Sequence, residues 1–476
     1  MSAMPAIDGR RRGQVRGTQR ADALGPPEWL ILVGWVFCLW APVGHGALTY
    51  LFLALMTLAS LASWQSKRTT PPLWFMAAWM ILLLTVVAAS LVGNLRHNPG
   101  VDQQTVQWFG SVVIWGTVAA SFTPRFARAA VRVTLWATIF CSFLMFIYSA
   151  SRLGLPQVIP SAILDFQDAG ISDEPGSTAI RWYGLSTLAA GAPFAFAAFM
   201  YGADQYLPSR KITGPAALLC GATALLAGRR AILLVVVLTP VLFWILQSVA
   251  RRRLPQNAGR NRSIPLSVAL GALALPLVGI AVARTSAGDI MKSAANAAMT
   301  TYLGVGDTSA LTLDDAVRVT QTQAMLEAWT QAPLIGHGLG ASIPGFSRSE
   351  TRPWLFELQY HQLLFNLGLL GVVAVLVVAL LFLSAFVRAY RSAPALRGTL
   401  LASTTAGVAL LIANASNPYL QAVGHGWGVA LMVGSVCAAE KVGQRSSPPP
   451  APNSSSRSPK RLHSPPPKGS GRSTRR

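Results

Sequence analysis

The chain has 476 residues, 52% of them hydrophobic and only 12% charged, about half the charged share of an ordinary soluble domain. Its mean hydropathy is +0.45 and its formal net charge is +22, which excludes both a simple globular protein and an acidic disordered one. Apolar bulk combined with strong positive charge points to a membrane chain whose basic residues are sorted to one face.

Residues 1–27 carry Arg10, Arg11 and Arg12 and few apolar side chains, so they read as a disordered basic tail. From there the chain enters apolar runs long enough to cross a hydrocarbon core of about 30 Å. They fall near 28–43, 46–64, 73–93, 105–122, 130–150, 183–203, 212–228, 231–249, 264–283, 361–386, 398–414 and 420–438. The expected fold class is therefore all-α, a polytopic membrane protein with about 12 transmembrane helices. Residues 28–283 hold helices 1–9 with an outer loop at 151–182. Residues 284–357 form a large, partly helical outer loop between helices 9 and 10, 358–438 hold helices 10–12, and 439–476 form a second disordered tail, rich in Pro and Ser.

Placing both termini in the cytoplasm puts 29 of the 39 Lys and Arg on that side, against 5 of the 17 acidic residues, which is the positive-inside pattern. Topology and anionic lipid account for the charge, so no nucleic-acid partner is expected. Cys38, Cys141, Cys220 and Cys437 lie in separate apolar runs without a C-x-x-C, so neither metal nor disulfide is expected. No glycine-rich nucleotide motif, metalloprotease motif or internal repeat is evident, and no cofactor is expected. A cleaved signal peptide is not expected either, because many spans follow the first.

One pair breaks the charge pattern. Arg229 and Arg230 sit at an outer tip between two apolar runs, with only Gly228 and Ala231 as spacers. A charge near the bilayer core costs about 2.5–3.5 kcal/mol on insertion scales, so the pair implies a bound anion, with snorkelling as the alternative. The loop at 151–182 contains Asp165, Asp168, Asp173 and Glu174 and ends Ile180-Arg181-Trp182-Tyr183-Gly184. In the larger loop, Leu313, Ala316, Val317, Met325 and Trp329 recur near a helical period after Thr312, predicting an Arg318-bearing helix that Pro333 ends. Gly336-His337-Gly338-Leu339-Gly340 follows as a flexible turn. Glu357 and His361 then open the next span, where residues four apart share a helical face.

Taken in order, three pieces resemble the bacterial O-antigen ligase and O-antigen polymerase superfamily over roughly residues 28–438. They are Arg181 with Gly184, the tip Gly228-Arg229-Arg230-Ala231, and the Arg318 helix leading through Pro333–Gly340 to a span opening that closes on Gly368 and Gly371. Glu357 stands where the ligases usually have His, and His361 lies one turn on, which favours the polymerase branch. The resemblance implies a metal-independent glycosyltransferase of the bacterial inner membrane. It would transfer glycan from an undecaprenyl-diphosphate-linked donor to a sugar hydroxyl at the periplasmic face. Polymerisation of repeat units leads, and ligation to a lipid or protein acceptor is the alternative.

On that implication Arg181, Arg229, Arg230 and Arg318 clamp the diphosphate, because guanidinium groups stay charged and bind phosphate oxygens in pairs. Glu357 or His361 takes the acceptor proton, and Arg348, Arg352 and Tyr360 make secondary glycan contacts. Ordinary roles stand beside these: Asp173, Glu174, Asp314, Asp315 and Glu350 are available ion-pair partners, and Glu357 suits any helix N-terminus. Trp182, Tyr183 and Trp354 fit either sugar stacking or an interfacial belt, and His337 and His425 read as loop residues. The implied partners are the lipid-linked donor, a glycan or lipid acceptor, membrane lipid, and a flippase or chain-length protein. The rival from another class is a transporter or flippase for an anionic lipid or solute, which would show broken midplane helices and related halves. A scaffold gives no reason for paired outer arginines.

Overall fold

The computed structural model describes residues 23–67, 70–152, 155–174, 177–251 and 313–446. In chain order the helices are α1 (Pro26–Trp40), α2 (Gly46–Lys67), α3 (Leu73–Leu95), α4 (Val101–Ala120), α5 (Pro124–Arg152) and the short α6 (Ser161–Phe166). A hairpin, β1 (Gly170–Glu174) and β2 (Ser177–Arg181), precedes α7 (Leu188–Tyr201), α8 (Arg210–Leu226), α9 (Arg230–Arg251) and α10 (Leu313–Thr330). The chain closes with α11 (Gln359–Ser392), α12 (Arg397–Ala413) and α13 (Trp427–Ser446). Among the described residues, seven stretches are long and apolar enough to cross a membrane: Gly46–Ser66, Leu73–Leu95, Pro124–Ser151, Tyr183–Tyr201, Arg230–Arg251, Gln359–Ser392 and Pro394–Ala413. The architecture is that of an α-helical membrane-embedded protein.

A helix lies at each apolar run named above except 264–283, which falls outside the described residues together with 284–312 and most of both tails. Two boundaries differ from expectation. The last helix starts at Trp427 rather than near 420, because Pro418 lacks a backbone donor and Gly424 lies so close to α1's end that a Cβ there would sit 2.2 Å from the Pro42 carbonyl oxygen. Residues 414–426 instead form a loop with two tight turns, Tyr419–Gln421 and Val423–Gly426. The same helix continues to Ser446, past the boundary expected at 439. The hairpin, antiparallel with Gly170 opposite Arg181, is the one departure from an all-α fold among the described residues.

Small side chains place the centre. Helix α7 reads LAAGAPFAFAAFMY and α12 reads RGTLLASTTAGVALLIA; the two pack together and are largely buried. Small residues let helix backbones approach closely where lipid offers no hydrophobic drive. Around them Trp35, Trp115 and Trp427 interlock, with ring centroids 5.9 and 6.4 Å from Trp35. The peripheral α3 and α11 turn bulky apolar groups outward, with Leu73 88% and Leu380 65% exposed, as a hydrocarbon solvent favours.

Helix α11 is broken near its start at Gly368, where φ is 62° and ψ is −168°. Such a break frees backbone groups that have no water to bond in a membrane, so they must find partners in the protein. The Gly-rich segment supplies them. His337 and Gly338 donate their N–H groups to the Phe365 and Asn366 carbonyls at 2.8 and 2.9 Å, and Leu369 and Leu370 donate to Pro333 and Leu334 at 2.9 and 3.0 Å. On its other side, Leu339 donates to the Ala89 carbonyl, and Gly340 accepts from Gly100, both at 3.0 Å. Gly336, Gly338 and Gly340 have φ of 69°, 82° and 73°, a left-handed backbone that glycine adopts without penalty. The expected flexible turn is thus a pinned strap. His337 locks it, stacking on Phe365 at 4.7 Å with its ring nitrogens bonded to Arg96 and to the Ala328 carbonyl.

Candidate functional site

Three separated pieces of chain converge on one cavity. Strand β2 docks on the tip between α8 and α9 through Ile180 N–H to the Ala227 carbonyl at 3.1 Å, which carries Arg181 to that tip. The tip reverses at Gly228, with φ of 67°. Arg229 then caps α9, its carbonyl accepting from Ile232 and Leu233 at 3.1 Å each. The loop at 414–426 supplies the third wall. The cavity measures about 310 Å³ and is lined by Arg181, Ser186, Arg229, Asn417, Tyr419 and His425, against Val43, Leu185 and Ile232. Its size lies at the low end for small-ligand sites.

Two guanidinium groups therefore face one hollow. Arg181 contacts Asp168 at 3.1 Å, with side chains 60% and 42% exposed, a pair too solvated to hold the charge tightly. Arg229 is half-buried, and among the described residues no carboxylate pairs with it. It acts instead on Tyr419, whose phenol burial pushes up to about 12 against the pull of the guanidinium. Arg230, the first residue of α9, does not line the cavity.

Arg318 belongs to a second group. Its Nε donates to Glu357 Oε2 at 3.0 Å, and Arg348 Nη1 lies 2.9 Å from the same oxygen. Glu357 Oε1 accepts no hydrogen bond from the described residues. Of the four arginines expected to converge, Arg181 and Arg229 line the cavity, Arg318 pairs with Glu357, and Arg230 is not among the lining residues. The shared-face argument for Glu357 and His361 is corrected: α11 begins at Gln359, and Leu358, with φ of −82° and ψ of 86°, separates Glu357 from the helix. His361 is half-buried on the first turn of α11, and neither residue lines the cavity.

The turn Tyr419–Gln421 joins the two groups. Tyr419 faces the cavity, while Gln421 Nε2 donates to the Phe356 carbonyl at 2.9 Å and to Gln362 Oε1 at 2.6 Å, beside Glu357. Of the secondary residues, Tyr360 donates to the Leu411 carbonyl and ties α11 to α12, and Arg352 is exposed with its backbone N–H on Ser349 Oγ. Tyr183 and the largely buried Trp182 both border the cavity.

Sequence reasoning missed Ser186, Asn417, Tyr419 and His425. His425 Nε2 meets Ser186 Oγ at 2.5 Å, and the imidazole is only 3% exposed. Burial pushes it down to about 4, opposed by the carbonyls of Ala422 and Tyr419. The signal was present in Asn414, Ser416, Asn417, Tyr419 and Gln421, a polar cluster at the short connection between the runs at 398–414 and 420–438. Among the described residues, no three His, Cys, Asp or Glu side chains gather as a metal would need. No protein-family model matches this chain, and no curated protein does either.

Proposed function

We propose that the chain polymerises undecaprenyl-diphosphate-linked oligosaccharide units, as an enzyme of the O-antigen polymerase and ligase type. In this reading it sits in the bacterial inner membrane with about 12 spans, both termini cytoplasmic, and the cavity and the 284–357 loop periplasmic. The observation that carries it is the presence of Arg181 and Arg229 together in the lining of one cavity that apolar side chains such as Val43, Leu185 and Ile232 also line. A lipid diphosphate offers both chemistries at once: phosphate oxygens for the guanidinium groups and a prenyl chain for the apolar side.

Transfer breaks the bond from the anomeric carbon to phosphate, and negative charge builds on the departing oxygen. Fixed cations in a site of low water content stabilise that charge most where it develops. Glu357, held through Oε2 by Arg318 and Arg348, presents Oε1 to orient an acceptor sugar through its hydroxyl groups. Transfer to a lipid A-core or protein acceptor, as a ligase performs, remains the second reading because the donor site would be the same. The transporter reading has one observation in its favour, the break at Gly368 in α11. Backbone groups of Phe365, Asn366, Leu369 and Leu370 beside the break bond to residues 333–338 of the same chain, which supports a structural role for the break.

The test is direct. Full-length protein in detergent receives an undecaprenyl-diphosphate-linked oligosaccharide, with and without a separate acceptor. A ladder of products identifies a polymerase, and a single addition to the acceptor identifies a ligase. Unchanged donor under every condition refutes both, and transport of the intact donor across proteoliposomes would replace them with the rival.

A further inference from the structure

The anion cavity contains a hydroxyl and an imidazole in contact, and neither expected base borders it. Ser186 is half-buried on the cavity wall, His425 is almost wholly buried beside it, and the two touch through Oγ and Nε2. Ser186 Oγ can donate to the Tyr183 carbonyl at 3.3 Å or, when Nε2 is bare, to His425 at 2.5 Å; a proton relay uses the second. That assignment needs a bare Nε2 and a protonated Nδ1. The Ala422 and Tyr419 carbonyls act on the ring in that sense, although Nδ1 closes no hydrogen bond of good geometry. A hydroxyl in contact with an imidazole is an arrangement by which proteins activate weak oxygen acids.

We propose that Ser186 and His425 form the proton relay that activates the acceptor hydroxyl, with Ser186 touching the substrate and His425 acting through it. This rests on the glycan-transfer reading above and assigns the base within it. The acceptor hydroxyl gives its proton to Ser186 Oγ as Ser186 passes its own to His425 Nε2. The acceptor oxygen's electron pair forms the new bond to the anomeric carbon. The bond from that carbon to phosphate breaks, and its electrons leave on the lipid diphosphate facing Arg181 and Arg229. The proton on His425 returns through Ser186 to the departing diphosphate or to water. Glu357 then serves to orient the acceptor.

The groups facing the imidazole fit this cycle. Tyr419 lies beside it at 5.6 Å between ring centroids, and Arg229 and Arg181 share its cavity. Burial keeps His425 neutral, with a pKa near 4, so at neutral pH it is unprotonated and becomes a useful base only as negative charge arrives beside it. The incoming diphosphate supplies the negative charge that stabilises the imidazolium while it lasts.

The experiment compares wild type, Ser186→Ala, His425→Gln, Glu357→Gln and Arg229→Ala, all full-length in detergent. Undecaprenyl diphosphate binding and turnover of the lipid-linked oligosaccharide are measured from pH 5 to 9. Ser186→Ala and His425→Gln should each lower kcat about 100-fold or more, with undecaprenyl diphosphate affinity within about twofold of wild type. In His425→Gln, kcat should climb with pH as hydroxide replaces the lost base, where the wild-type profile is flat. Near-normal kcat in either variant overturns the relay, as does a joint loss of binding and turnover, or a loss confined to Glu357→Gln. If wild type neither binds undecaprenyl diphosphate nor elongates the oligosaccharide, the functional reading falls and the relay with it. If wild type does both and Arg229→Ala weakens binding, the reading stands and the two relay variants alone decide.

Discussion

Gly338 and Gly345 share nearly the same backbone, with φ of 82° and 77°, in opposite surroundings. A Cβ at Gly338 would lie 2.3 Å from the nitrogen of Gly93 and 2.6 Å from its Cα, while at Gly345 it would meet nothing within 4 Å. The left-handed backbone costs either alanine about 1–2 kcal/mol. At Gly338 the obstacle is the backbone of Val92 and Gly93 on α3, so relief requires moving the strap by about 1 Å from ordinary contact distance. That shift strains the bonds from His337, Gly338 and Leu339 to Phe365, Asn366 and Ala89, each worth about 0.5–1.5 kcal/mol. Gly338→Ala should therefore cost about 3–6 kcal/mol and Gly345→Ala about 1–2, against a typical total stability of about 5–15. Gly110→Ala on α4, with open space and ordinary backbone, should be neutral or gain up to about 1 kcal/mol. Thermal unfolding in detergent, read by size-exclusion fluorescence, gives the ranking. Equal melting of Gly338→Ala and Gly345→Ala would refute the account of a strap clamped between α3 and α11.

Arg229→Ala should weaken undecaprenyl diphosphate binding about 10-fold to 100-fold, the worth of a lost charge-assisted hydrogen bond. Arg181→Ala should do less, because that guanidinium is 60% exposed and already shares Asp168; titration calorimetry in detergent checks the order, and a reversed order places the anchor wrongly. Glu357→Gln should lower stability by about 1–3 kcal/mol, since it leaves Arg318 and Arg348 facing each other without their carboxylate. If Glu357→Gln melts with wild type, the two contacts carry no net energy. Acidification tests His425: its folded pKa near 4 lies below the unfolded value of about 6.5, so the unfolded chain binds the extra proton. Stability from this group is complete above pH 6.5 and is lost as pH falls toward 4, by up to about 3 kcal/mol. The difference in melting temperature between wild type and His425→Gln should shrink across that window, and a constant difference would contradict the burial argument.

Helix positions were legible because a bilayer-length apolar run has few alternatives, and α10 was legible from its period and from Pro333. What the sequence did not reveal depends on contacts distant in the chain. Gly336, Gly338 and Gly340 look like a loose turn until Gly368 opens α11 and creates the partners that fix them. Arg181 and Arg229 were singled out for their charge, and a backbone bond from Ile180 to Ala227 brings them to one cavity. Arg318 was grouped with them because its future partner, Glu357, is 39 residues away. His425 was passed over as a loop residue between two glycines. Those glycines instead let the loop press against Pro42 and Trp115, which buries the imidazole at the cavity wall.

Splitting the arginines between two groups has an electrostatic logic that a single four-fold clamp lacks. Four guanidinium groups around one hollow of about 310 Å³ would repel one another whenever the site stood empty, at several kcal/mol per close pair in a poorly solvated setting. Glu357 removes part of that cost by taking Arg318 and Arg348 onto one oxygen. Arg181 is moderated by Asp168, and Arg229 is left as the charge with most to gain from an anion. A lipid diphosphate arriving with roughly two to three negative charges would then meet two cations, enough to hold it without preventing its release. The turn Tyr419–Gln421 lies between the two groups, lining the cavity through Tyr419 and bonding the Phe356 carbonyl, next in the chain to Glu357, through Gln421.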